Sequence, residues 1–138
     1  MKLAHLPLRL ATGAFILNSG LAKKDLEGQA AEGLHEMASV ALPPRLRDMD
    51  PAAFARLLSR GEIALGAALL LPIVPSAVAG AAMTAFGVGL MRLYLRTPGL
   101  RQEGDIRPTQ AGTGIAKDVW LVGAGLTLVL DDLLPRSR

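Results

Sequence analysis

Apolar residues and glycine together make up 84 of the 138 residues, about 61% against the roughly 45–50% of an ordinary globular chain. A chain this short has a high surface-to-volume ratio and should be more polar than average, so the excess argues against a water-soluble domain and for lipid as the solvent. The absence of Cys excludes disulfides, thiol redox chemistry and iron–sulfur clusters, while a modest charge of +3 and 4% aromatics do not fit a nucleic-acid binder.

Leucine (26) and alanine (22) far outnumber valine plus isoleucine (12), which favours helix over strand. The reading is all-α: a four-helix transmembrane bundle in a single domain, 1–138, with a short amphipathic helix in the first long loop. Segment one runs from about residue 5 to 22 and is free of charge over 10–22. Lys2 and Arg9 ahead of it also fit a signal peptide, but no clean A-x-A site follows.

Residues 23–50 are mixed in charge. Asp25–Val40 can form an amphipathic helix with Leu26, Ala30, Leu34, Met37 and Ala38 near one face, either on the membrane surface or packed over the bundle. Segments two and three share the uncharged run Ile63–Met91, too long for one span of about 20 residues. Pro72 and Pro75 place a tight turn inside it. The result is a hairpin, with helix two from about Pro51 to Val74 (its span 54–74) and helix three spanning 76–95. Asp50 before Pro51 is a helix start, a cap residue followed by proline at the first position.

Residues 96–112 carry Pro98, Gly99, Gly104, Pro108 and Gly112 and read as a structured loop. Segment four spans about 113–134, with Thr113 as cap and Pro135 as stop. Ala81, Ala85 and Gly89 on helix three, and Ala64 and Ala68 on helix two, form small-xxx-small stripes for helix contact in lipid. The uncharged cores of segments one and four are short, as in buried soluble helices or signal peptides. Snorkelling Arg and Lys at the helix ends lengthen the effective spans.

Four spans put both termini at one end, A, and the two long connections at the other, B. End B holds eleven of the fifteen Lys and Arg residues, which makes the loops 23–50 and 96–112 cytoplasmic and the protein a multi-pass component of the cell membrane. The same topology gathers Asn18, Lys23, Arg60, Glu62, Arg92, Tyr94, Lys117, Asp118 and Trp120 at end B. The A-end half of the helices is expected to be nearly pure Leu, Ala, Val and Gly.

An ionisable side chain in the apolar zone costs at least ~2.5–3.5 kcal/mol unless paired or hydrated. Glu62 and Asp118 are therefore expected either to pair with Arg60, Arg92 or Lys117 in a network fixing helix register, or to line a polar pocket for a head group, quinone or small ligand. Trp120 either anchors at the interface or walls that pocket. With no polar residues towards end A, a proton relay is the weaker reading.

The run Gly13-Ala-Phe-Ile-Leu-Asn-Ser-Gly20-Leu-Ala-Lys23, then Gly61-Glu62 opening a Gly/Ala/Leu helix, then Arg107-Pro-Thr-Gln-Ala-Gly112 and Lys117-Asp118-Val-Trp120, resembles the DoxX family. It looks most like the small actinobacterial members, and the resemblance covers essentially the whole chain. It implies a four-helix membrane protein linked to membrane redox, with Asn18, Gly20, Lys23, Glu62, Lys117 and Asp118 at matching positions. The implied function is a non-catalytic membrane subunit or anchor of a quinone-linked or oxidative-stress redox complex. Without a metal or covalent cofactor, such a chain needs a diffusible quinone or redox-enzyme partner subunits. The alternatives are an assembly protein docking partners through the loops 23–50 and 96–112, and a small proton-coupled transporter using Glu62 and Asp118. The lipid bilayer is the expected surrounding, nucleic acid is not a partner, and a homo-oligomer fits the small-residue stripes.

Overall fold

The computed structural model describes residues 1–134. The expected stop at Pro135 and the A-end charges Arg136 and Arg138 lie outside the described residues. Among the described residues every element is helical, and the only strand-like feature is a lone bridge between Arg101 and Pro108.

A 3-10 turn, Leu3–His5, leads into α1, Leu6–Ala22. The first connection holds α2, Gly28–Ser39, and the short α3, Pro44–Arg47. The amphipathic helix thus exists, but it packs on α4, Pro51–Leu70, rather than lying apart from the bundle. Leu26, Leu34 and Ala38 of the expected face are half-buried, but Ala31 rather than Ala30 is the buried alanine, and Ala30 and Met37 are exposed. His35 turns inward beside Ala31, sets its ring 5.0 Å from that of Phe54, and lies with Nε2 2.9 Å from the Leu46 carbonyl. A polar residue that pattern reading places outside therefore takes part in the contact.

Asp50 caps α4 as expected, its carboxylate accepting the Ala53 N–H at 3.1 Å. The helix ends at Leu70, four residues short of the expected Val74. Leu71 is already extended (φ −83°, ψ 118°), because the residue before a proline is driven out of the helical region. After the turn 71–75, α5 runs Ser76–Arg96. The fourth segment is divided into α6, Thr113–Ala116, and α7, Val119–Leu133, with Lys117 and Asp118 at the junction. Gly112 rather than Thr113 stands at the cap of α6, and the Thr113 hydroxyl donates to the Thr109 carbonyl at 3.0 Å.

Among the described residues two helical stretches are long and apolar enough to cross a membrane, α5 (Ser76–Arg96) and α6 with α7 (Thr113–Leu133), each with a mean hydropathy of 1.4. Only 33% and 11% of their apolar windows are buried within the protein, whereas the core helix of a soluble domain would be mostly buried. In α4, Arg56, Arg60 and Glu62 interrupt the apolar run, and α1 is only 17 residues long.

The helices form two antiparallel pairs, α1 on α4 and α5 on α7, while α4 and α5 touch far less and α1 meets α7 only marginally. Both seams are lined with glycine. A Cβ on Gly66 would lie 2.6 Å from the Leu17 nitrogen, and one on Gly125 would lie 2.6 Å from the Gly80 carbonyl oxygen. Backbones approach this closely only where no side chain intervenes. The contact stripe on α5 is Gly80, Met83 and Gly87, all buried; the expected stripe of Ala81, Ala85 and Gly89 is exposed, as is Ala64 on α4. Small residues occupy so many α5 positions that several faces satisfy the spacing, and only the fit to α7 selects one. The core where the pairs meet joins Ile16, Leu65, Leu69, Ala79, Met83 and Leu128.

Candidate functional site

At end B the two pairs separate around a cavity of about 390 Å³, within the size range of small-molecule sites. Its walls come from α1, α4, α5 and the α6–α7 junction, and α2 with the residues after it closes the outer end. The lining is apolar, with Phe15, Phe54, Leu58, Phe86 and Leu90 prominent and only four polar side chains: Ser19, Lys23, Glu62 and Asp118.

Glu62 is 4% exposed. Lys23 Nζ donates to its Oε2 at 3.0 Å and also to the Ser19 hydroxyl and carbonyl at 2.6 and 3.2 Å. This pairing differs from the expected one. Arg60, Arg92 and Lys117 are all exposed and bind no described carboxylate. Helical geometry explains Arg60: two residues from Glu62 is about 200° around the helix, the opposite face. The lysine instead arrives from the C-terminal end of α1, which lies against Glu62 because Gly20 lets the two backbones meet. The Ser59 hydroxyl ties the same contact, donating to the Gly20 carbonyl at 2.7 Å.

Asn18 is also outside the site. The buried stripe of α1 is Arg9, Gly13, Ile16 and Gly20, and Asn18 falls opposite it. Tyr94 is buried, but its hydroxyl donates to the Ile106 carbonyl at 2.6 Å and so anchors the loop after α5. That loop accounts for the Arg107–Gly112 motif. The Thr109 hydroxyl donates to the Gly99 carbonyl at 2.6 Å, and Gly112 lies against the Leu100 carbonyl with no room for a Cβ. The Arg107 main-chain N–H donates to Asp105 Oδ1 at 3.1 Å and Arg107 Nε to Oδ2 at 2.7 Å, and these two bonds, the main-chain one foremost, hold the Asp105 carboxyl below the usual carboxylate range.

Lys117 and Trp120 line a second depression of about 340 Å³, a groove between α1 and α7. Phe15, Asp118 and Leu121 border both the groove and the cavity. Trp120 is 75% exposed there.

End A corrects the expectation of a featureless half. Arg9 is 1% exposed. Its Nε donates to the Leu69 carbonyl at 2.8 Å, Nη2 to those of Ala68 and Leu71 at 2.8 and 2.9 Å, and Nη1 to the Val74 carbonyl and the Ser76 hydroxyl, both at 2.9 Å. All five donors are used, chiefly on the open carbonyls at the C-terminus of α4, where the helix dipole favours a cation. His5 Nδ1 lies 2.8 Å from Ser76 Oγ and Nε2 lies 2.6 Å from Asp131 Oδ2. Lys2 binds the Asp131 carboxylate and carbonyl, and Asp132 accepts the Ala77 N–H at 2.9 Å. The order that suits every partner runs from Arg9 to the Ser76 oxygen, from the Ser76 proton to His5 Nδ1, and from His5 Nε2–H to Asp131.

The charge pattern of segment one contained Arg9, but only as a flanking positive. Nothing local marks carbonyl groups sixty residues away as its partners. Comparison with protein-family models, with curated proteins and with solved structures finds no match.

Proposed function

We propose that the chain is a four-span membrane protein that holds a lipid-soluble ligand in its B-end cavity. In this reading it is a non-catalytic membrane subunit or anchor of a quinone-linked or oxidative-stress redox assembly, as the resemblance to the DoxX family implies. Its long connections face the cytoplasm. The observation that carries the reading is the apolar cavity with a buried Glu62 paired to a half-buried Lys23 at its wall and a lateral groove at its side. A membrane ligand requires such a site: apolar walls, few polar groups, and access from the side rather than from water. The exposed Phe15, Val78, Val88, Trp120 and Leu126 give the outer surface an apolar coat suited to lipid.

Purification of the full chain in mild detergent, with mass spectrometry of extracted lipids and of co-eluting chains, tests it. The expected result is a lipid-soluble molecule retained with the protein and lost when Phe86→Trp fills the cavity. A clean protein with neither bound molecule nor redox partner sinks the reading.

A further inference from the structure

The hydrogen-bonding inventory of the cavity is one-sided. Lys23 has three N–H donors, and Ser19 Oγ, the Ser19 carbonyl and Glu62 Oε2 take them. The main-chain N–H groups around the cavity are also used: those of Ala41, Leu42, Ile115 and Asp118 go to the carbonyls of Ala38, Ser39, Gly112 and Ile115. The other lining residues there lie within helices or have apolar side chains. Among the described residues lining the cavity, the donor left over is the hydroxyl proton of Ser19; the Lys117 ammonium and the Trp120 indole N–H lie outside it, in the groove beyond Asp118.

Acceptors remain in excess. Lys23 binds one oxygen of Glu62. The Asp118 carboxylate, at the border of cavity and groove, takes no bond from a described donor, and its oxygens are not sealed from the open space. Within the cavity a carbonyl-bearing head group would find one free donor, the Ser19 hydroxyl, and would meet the carboxylate oxygens as acceptor against acceptor. A hydroxyl-bearing one would satisfy them.

We propose that the cavity selects a membrane amphiphile whose head group donates hydrogen bonds, a hydroxylated aromatic ring on an apolar tail, with the hydroxyl on Asp118 and the tail leaving through the α1–α7 groove. This rests on the reading that the cavity holds a lipid-soluble ligand, and it adds which class. For a ring that exists in two oxidation states, the site takes the dihydroxy form over the dione. A site built to accept from a hydroxyl discriminates against an analogue without it, because its own oxygens, facing an apolar cavity, are then left unpaired.

The test uses the full chain in detergent and two matched pairs: a long-chain alkylphenol against its methyl ether, and an alkylhydroquinone against the corresponding quinone. Calorimetry measures affinity for both pairs, and Trp120, the single tryptophan, reports occupancy of the groove for the first. The phenol is expected to bind at least about tenfold more tightly than the ether, and the hydroquinone more tightly than the quinone. Asp118→Leu is expected to abolish the difference while leaving ether binding in place. Equal affinities within the pairs overturn the selectivity but leave the cavity as a ligand site. Binding of none of the four overturns both. A full preference surviving Asp118→Leu also overturns the assignment. The comparison in the unsubstituted chain stands even where the variant fails to fold.

Discussion

Arg9 donates to the hydroxyl of Ser76 at 2.9 Å, linking α1 to the first residue of α5. The same guanidinium closes the carboxyl end of α4, so one side chain holds three helices at end A. Arg9→Met leaves several buried carbonyls without donors and is expected to cost about 3–5 kcal/mol, since each buried acceptor left unpaired costs about 1–3 kcal/mol. Arg9→Lys keeps the charge but offers three donors where five are used, and should cost about 1–3 kcal/mol. Denaturant unfolding in micelles measures both. A neutral Arg9→Met would contradict the assignment.

The Lys23–Glu62 pair predicts non-additivity. Glu62→Leu leaves Lys23 facing an apolar cavity, and Lys23→Met leaves Glu62 buried and unpaired. Each single change should destabilise more than the two together, since an apolar replacement of a whole buried pair is often neutral. Unfolding of the four proteins in a double-mutant cycle gives the coupling. Additive losses would show that the pair contributes little.

The glycine seams predict a sharp positional contrast. Gly66→Ala and Gly125→Ala drive a Cβ into backbone atoms of the facing helix and should each cost about 1–3 kcal/mol. Gly61→Ala and Gly123→Ala meet nothing and should be neutral or stabilising through helix propensity. Thermal denaturation of the four variants separates the two classes.

Acid should loosen the loop after α5 late. The folded Asp105 carboxyl is held below its ordinary value by Arg107, so its contribution is present above the usual Asp range, about 3.9. It is lost only as pH falls through the lowered folded value. NMR titration should show the Arg107 amide moving below that range, and the transition should vanish in Asp105→Asn.

The same loop depends on Tyr94. Tyr94→Phe removes the donor to the Ile106 carbonyl, at a cost of about 1 kcal/mol. Amide exchange should quicken in 99–109 and remain unchanged in α1 and α4.

Local chemistry made part of this architecture readable. Pro72 and Pro75 marked the hairpin turn, and Asp50-Pro51 marked the start of α4. Glu62 and Asp118 stood out because carboxylates are costly in apolar segments, and they do border one cavity. Their partners were not readable in the same way. Lys23 reaches Glu62 only because Gly20 allows close approach, and Arg9 binds main-chain oxygens that every residue possesses. The helix seams were hidden for a different reason: alanine and glycine are so frequent that small-residue spacing fits several faces at once.

Two tight pairs are joined by a five-residue turn, a shared apolar core and a polar clasp at end A. Within each pair, backbone against backbone admits almost no sliding. Between the pairs, α1 and α7 are bridged at end A and border an open groove at end B. Whatever widens the cavity therefore has to act at the end opposite the clasp, where fewer ties hold the two pairs together.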